Sequence, residues 1–183
     1  MTMKLKLISI ILVLLISYQY VQAQNKNNTD SIQTSVIRKN EIKVNAVFLL
    51  AGALEVFYER NINESSSAGI SVLVPFVQED IDWNLNYYIS PYYRVFFGEK
   101  YAAGFFFEGF GMLNSAERYN FVEDINKDVI DFALGIGLGG KWVTKKGLVF
   151  ELNAGIGRNL FNTKEHSDSA IIGKFGFNLG YRF

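Results

Sequence analysis

The chain has 183 residues, with 18 basic and 18 acidic side chains, one histidine, sixteen glycines, two prolines and no cysteine. This length suggests one domain, and the balanced charge excludes a nucleic-acid partner, which needs a basic excess to neutralise phosphates. The missing cysteines exclude disulfide scaffolds, thiolate metal sites, a cysteine nucleophile and a lipid anchor on cysteine.

Lys4 and Lys6 precede an apolar run from Leu7 to Ile16, broken only by Ser9, and Val21-Gln22-Ala23 reads as a small-residue cleavage site. A membrane-spanning helix takes about 20 apolar residues, and this run is too short. Residues 1–23 are therefore expected to be a cleaved secretory signal peptide. Residues 24–40 are polar and without a sustained period, and are expected to be a flexible periplasmic linker.

From residue 41 to 183 one pattern repeats: a stretch of period-two alternation, then a turn or loop, which predicts strands with two unlike faces. Segment one is Ile42–Leu50, with Val44, Ala46, Phe48 and Leu50 opposite Lys43 and Asn45. Segment two is Ala53–Asn61, with Leu54, Val56 and Tyr58 opposite Glu55, Phe57 and Glu59. Segment three is Ser67–Phe76, with Ala68, Ile70, Val72, Val74 and Phe76 opposite Gly69 and Ser71. Segment four is Asn84–Phe97, with Leu85, Tyr87, Ile89, Tyr93 and Val95 opposite Asn86, Ser90 and Arg94; Pro91, which removes a ladder donor, is expected to bring a bulge there.

Segment five, Ala102–Leu113, sets Gly104, Phe106, Glu108 and Phe110 against Phe105, Phe107 and Leu113. Segment six, Ile130–Val143, sets Phe132, Leu134, Ile136, Leu138 and Trp142 against Asp131, Gly135, Gly137, Gly139 and Lys141. Segment seven, Leu148–Gly157, sets Leu148, Phe150, Leu152 and Ile156 against Glu151, Asn153, Gly155 and Gly157. Segment eight, Ala170–Phe183, sets Phe175, Phe177, Leu179, Tyr181 and Phe183 against Lys174, Gly176, Asn178, Gly180 and Arg182.

Each segment is long enough for a tilted membrane strand of about 9–11 residues, and the count is even. Connections at 61–66, 98–101 and 144–147 are short, whereas those at 77–83, 114–129 and 158–169 are longer; Ala51–Gly52 breaks this alternation. The pattern predicts an all-β fold, an eight-stranded antiparallel up-and-down transmembrane barrel over residues 41–183.

Alternation alone also fits a soluble barrel with the apolar face inside. The glycines decide the expected orientation. Gly135, Gly137 and Gly139 share the polar face of segment six, where glycine on a water-facing strand would only weaken it. Inside a narrow eight-stranded barrel they would make room for side chains from opposite strands. The polar face is therefore expected inward. It carries the cations Lys43, Arg94, Lys141, Lys174 and Arg182 and the anions Glu55, Glu59, Glu108, Asp131 and Glu151. These equal numbers would let every charge find a partner, with Asn45, Asn86, Asn153 and Asn178 bridging gaps, so a plugged interior is expected.

The alternation of Leu179, Tyr181 and the terminal Phe183 resembles the C-terminal signal that hands such barrels to their assembly machinery. The run Ile42–Arg60 with Tyr58-Glu59-Arg60, then Ser90-Pro91-Tyr92-Tyr93-Arg94, and Gly137-Leu138-Gly139-Gly140-Lys141-Trp142 followed by Lys145-Lys146-Gly147, resemble a family of small outer-membrane barrels from Bacteroidetes-type bacteria. That family is of uncharacterised function and OmpA/OmpX-like architecture. The resemblance covers about residues 41–183 and implies fold and location, in the outer membrane of a Gram-negative cell.

No motif carries a reaction. His166-Ser167-Asp168-Ser169 are adjacent in one predicted loop, whereas a nucleophile and its base must face one another at about 2.6–3.2 Å. Gly135-x-Gly137-x-Gly139 precedes no helix and is no nucleotide fingerprint. The acidic loops, with Glu79, Asp80 and Asp82, and with Glu117, Glu123, Asp124 and Asp128, lack the spacing of a calcium loop. No catalytic residue, metal site or cofactor is expected. The expectation is a structural or surface-interaction protein whose partners are outer-membrane lipid, lipopolysaccharide and the barrel-assembly machinery. A lipid A-modifying enzyme and a narrow pore are the alternatives.

Overall fold

Period-two alternation yields strands, and here eight of them hydrogen-bond in sequence order, the last pairing with the first to close a barrel. The computed structural model describes residues 38–77, 84–120, 125–161 and 170–183. Its elements are β1 (Asn40–Asn45), α1 (Ala46–Leu50), β2 (Ala53–Asn61), β3 (Ser66–Pro75), β4 (Leu85–Phe97), β5 (Gly104–Asn120), β6 (Ile125–Val143), β7 (Leu148–Asn159) and β8 (Ile171–Arg182). Every neighbouring pair is antiparallel. The all-β, up-and-down barrel expected from the sequence is what the structure has.

The expected signal peptide and most of the expected linker lie outside the described residues. The end of the linker segment does not. Arg38 donates to the Lys146 carbonyl at 2.9 Å, and Asn40 exchanges backbone hydrogen bonds with Phe183. One rim of the barrel therefore gathers the seam between Asn40 and Phe183 with the three short turns, at 62–65, 98–103 and 144–147. The other rim carries α1 and the longer connections.

Three expectations are corrected. Segment one does not run as a strand to Leu50. The Asn45 side chain accepts from the amides of Val47 and Phe48, capping a one-turn helix that ends β1 at six residues. Phe48 then packs edge-on against Phe175 of β8, with ring centroids 5.1 Å apart, so α1 leans on β8 above the last β1 pair, Asn45↔Asn178.

The second correction concerns 114–129. Most of this stretch is paired strand rather than loop, with β5 and β6 in register from Asn114↔Asp131 to Asn120↔Ile125. The third is Pro91. It faces outward opposite Ile70, and the β4–β5 register is the same on both sides of it, Ile89↔Leu113 and Tyr92↔Phe110. The register shift lies instead between Leu85 and Tyr87. Proline is tolerated because the chain needs only to skip a ladder bond, not to insert a residue.

The two faces divide as the alternation requires, including segment five, where Phe106, Glu108 and Phe110 point in and Phe105, Phe107 and Leu113 point out. The outer wall is apolar around the barrel: Ile70, Ile89, Leu113, Leu138 and Leu179 are exposed, and Ile136 shows 72% of its surface. Aromatic side chains gather on it toward the short-turn rim: Tyr58, Tyr93, Phe97, Phe105, Trp142 and Phe150. Arg60 stands one residue from the end of β2 at that rim, and Arg158 one residue from the end of β7 at the other. Between those levels no outward-facing residue of the described strands is charged.

Candidate functional site in the barrel interior

Charged side chains from the inward faces of seven strands, all but β3, join in a continuous chain of ion pairs. Arg182, at the end of β8, meets Glu41 at 2.6 Å, and Glu41 meets Lys141 at 3.0 Å. Lys141 also meets Glu59 of β2, which meets Lys43 of β1 at 2.6 Å and Arg94 of β4 at 2.7 Å. Glu151 of β7 takes Lys43 and, at 2.8 Å, Arg94. Arg94 reaches Glu108 of β5 at 2.7 Å, and Glu108 ends the chain on Lys174 at 2.9 Å. All nine are buried.

Such a network stands in a low-dielectric space only if each group is paired and its remaining lone pairs are used. Polar neighbours use most of them here, although Arg94 Nη2 and Glu41 Oε2 have no hydrogen-bond partner among the described residues. Ser67 donates to Glu59 at 2.6 Å, Asn178 to Glu151 at 2.9 Å and Asn61 to Glu41 at 3.1 Å. Aromatic rings supply the rest of the cations' surroundings. The Arg94 guanidinium lies 4.3 Å from the Tyr92 ring centre and 4.4 Å from that of Phe106. Lys141 faces Phe96 at 4.7 Å, and Lys174 faces Tyr92 at 4.9 Å and Phe110 at 5.1 Å. These contacts are favourable where the cation is stripped of water.

Apolar plugs close both sides of this layer. Toward the short-turn rim, Phe96, Ala102 and Phe106 pack together. The turn at 98–103 folds under the barrel, with Ala102 at φ 41°, and Arg182 donates to the carbonyls of Tyr101 at 2.8 Å and Ala102 at 2.7 Å. Toward the other rim, Phe57, Leu73, Tyr88, Tyr92, Phe110, Met112 and Ala133 form a second cluster with Ala53.

The inward glycines serve these rings more than they serve the charges. A methyl on Gly155 would lie 3.0 Å from the Phe110 ring, and one on Gly139 2.5 Å from Phe106. Lys43 and Asn45 occupy the equivalent space beside Gly180 and Gly176.

Each of the ten interior charges expected from the sequence is buried. Eight of them join the network. Glu55 stands apart: it accepts from Asn45 at 2.8 Å and from the Tyr88 hydroxyl, and among the described residues has no cation in ion-pair range. Asp131 lies near the long-loop rim, where it accepts from the Phe161 amide at 3.1 Å.

The sequence reading missed Glu41, the eleventh charge, by placing it at the linker boundary. Carrying the two-residue period back one step from Lys43 would have found it. Its presence overturns the expected equality, giving six acids against five bases. Asn153 is not a bridge, since neither of its side-chain polar atoms finds a partner, whereas Asn86 reaches out to Asp128 at 2.8 Å.

Of the assembly-signal residues, Leu179 and Phe183 are exposed on the outer wall and Tyr181 is half-buried beside Arg38. His166, Ser167, Asp168 and Ser169 lie outside the described residues, as do Glu79, Asp80, Asp82, Glu123 and Asp124. Glu117 and Asp128 face each other as a β5–β6 pair rather than in a loop. Among the described residues no group of three histidine or acidic side chains is placed to hold a metal. No protein-family model, curated protein or solved structure matches the chain.

Proposed function

We propose that this chain is an exported, membrane-integral barrel of a Gram-negative outer membrane, with a structural or surface-interaction role. One observation carries the reading: the barrel is apolar outside and ionic inside. In water that outer wall would be an exposed apolar surface far beyond the few hundred Å² that soluble monomers tolerate. A bilayer removes the penalty, and a closed barrel leaves no strand edge unpaired there. No described helix is long and apolar enough to cross a membrane, so strands are the crossing elements in this account. The aromatic residues at the short-turn rim match the interfacial girdle of such barrels. The resemblance to small Bacteroidetes-type barrels, the leader and the terminal aromatic support the same location. Membrane lipid, lipopolysaccharide and the assembly machinery are then its partners.

The packed interior argues against the pore. Paired charges and aromatic rings fill the section that an eight-stranded barrel offers, leaving no room for a water column. Expressed in a Gram-negative host, the chain should fractionate with the outer membrane and migrate differently in gel before and after boiling. In a planar bilayer it should give no steady conductance above background. Stable, ion-selective channels whose selectivity inverts with Glu151→Lys would replace this reading with the pore. A changed lipid A acylation pattern that is lost with His166→Ala would replace it with the enzyme.

A further inference from the structure

On the outer wall, β6, β7 and β8 enclose a shallow groove of about 460 Å³. Its floor is the backbone of the Gly135–Gly157 pair across the β6–β7 ladder, two positions that face into the barrel. Its walls are the apolar side chains of Leu134, Ile136, Ile156 and Ile171. The fifth side chain is Arg158, flanked by Leu134 on one strand and Ile171 on the other. Arg158 is exposed, and among the described residues its side chain has no ion pair or hydrogen bond.

Its height is informative. The 12-residue β7, at about 3.3 Å per residue and a tilt near 40°, climbs about 28 Å. An apolar band of about 25 Å begins at the short-turn rim. The next-to-last residue of β7 therefore stands at the far edge of that band, where a bilayer's head groups begin.

We infer that this groove is a lipid site, which seats one acyl chain against Ile136 and Ile156 while Arg158 binds the lipid's phosphate. The inference rests on the membrane reading above. A guanidinium held among aliphatic side chains needs a counter-charge, and phosphate matches its fork with two parallel hydrogen bonds. The outward position of Gly173, beside Ile156 on β8, has nothing within 4 Å of where a side chain would begin, so the groove can be entered from that flank.

The test uses the full chain, expressed with its own leader and extracted from membranes. The probes are phosphatidic acid and diacylglycerol with the same acyl chains. Native mass spectrometry reads the fraction of barrel carrying each lipid. A hydrogen-bonded charge contact of about 1.5–3 kcal/mol predicts a preference for phosphatidic acid of about tenfold to a hundredfold. Arg158→Gln should abolish that preference and Arg158→Lys should keep part of it. Ile156→Trp, which fills the groove, should lower retention of both lipids, and Arg60→Gln at the opposite rim should change nothing. Equal retention of the two lipids by the wild type overturns the inference, as does loss of the preference with Arg60→Gln. In either case a chain found in the membrane fraction leaves the membrane reading standing. A chain absent from that fraction overturns both.

Discussion

Glu59 is the residue on which the interior turns, and replacing it with alanine is the perturbation that best measures the network. The carboxylate receives Lys43 at 2.6 Å, Arg94 at 2.7 Å and Lys141, together with the hydroxyls of Ser67 at 2.6 Å and Tyr92 at 3.2 Å. Its loss does not orphan any of the three cations: Lys43 keeps Glu151, Arg94 keeps Glu151 and Glu108, and Lys141 keeps Glu41. The network is nonetheless left with three acids against five bases, one more buried cation charge uncompensated than before, so the cost is about 3–5 kcal/mol rather than a multiple of it. Ser67→Ala removes a single hydrogen bond to a charged acceptor and should cost about 1.5–3 kcal/mol. Glu59→Leu combined with Lys141→Met removes both signs and should cost less than the sum of the single changes, by about 0.5–3 kcal/mol. Urea unfolding of the chain in phosphatidylcholine vesicles, followed by tryptophan fluorescence, measures all of these. If Glu59→Ala unfolds within about 1 kcal/mol of the wild type, the network contributes no stability and the reasoning fails.

Leu138→Arg should destabilise the chain in vesicles by about 2–4 kcal/mol, because it places a charge on the outer wall at mid-height. Gly137→Arg should fail to fold, since even a methyl there would lie 2.9 Å from the Ala154 carbonyl oxygen; comparison of heat-modifiable gel bands checks both. Phe48→Ala should destabilise the chain through the lost contact with Phe175, by less than the about 3–5 kcal/mol of a fully buried phenylalanine because Phe48 is only partly buried. Deleting Phe183 should leave the chain in the periplasm for degradation, as seen by fractionation; normal assembly would show that the terminal aromatic is no signal.

Much of this architecture is legible in the sequence because a barrel wall has only two faces and the residue period reports them directly. Segment by segment the alternation places Glu55, Glu59, Glu108 and Glu151 inward, and the structure agrees. The boundaries are less legible, for a physical reason. Asn45 continues the alternation into Ala46 and Phe48, but its side chain can also cap a helix, and the short-range capping bonds win. Residues 114–120 and 125–129 carry few apolar side chains, so their composition reads as loop although backbone pairing continues through them. The partners in the network were not legible at all. Which of four carboxylates meets Arg94 depends on barrel stagger, and the placement of Arg94 between Tyr92 and Phe106 depends on rings from two strands. The outer groove was equally hidden, because which outward side chains flank Arg158 depends on the β6–β7 and β7–β8 registers.

The central claim is that a bilayer covers the outer wall while the interior is sealed. The native chain has no cysteine, so single cysteines can be introduced without background. Nitroxide labels at Leu134, Ile136, Leu138 and Ile156 in vesicles, read by the relaxation effects of oxygen and of a water-soluble nickel chelate, test the claim most directly. High oxygen and low nickel accessibility at all four positions is the predicted result. Nickel accessibility there equal to that of a label on Lys145, in the exposed short turn, would contradict it and leave the apolar wall without a covering.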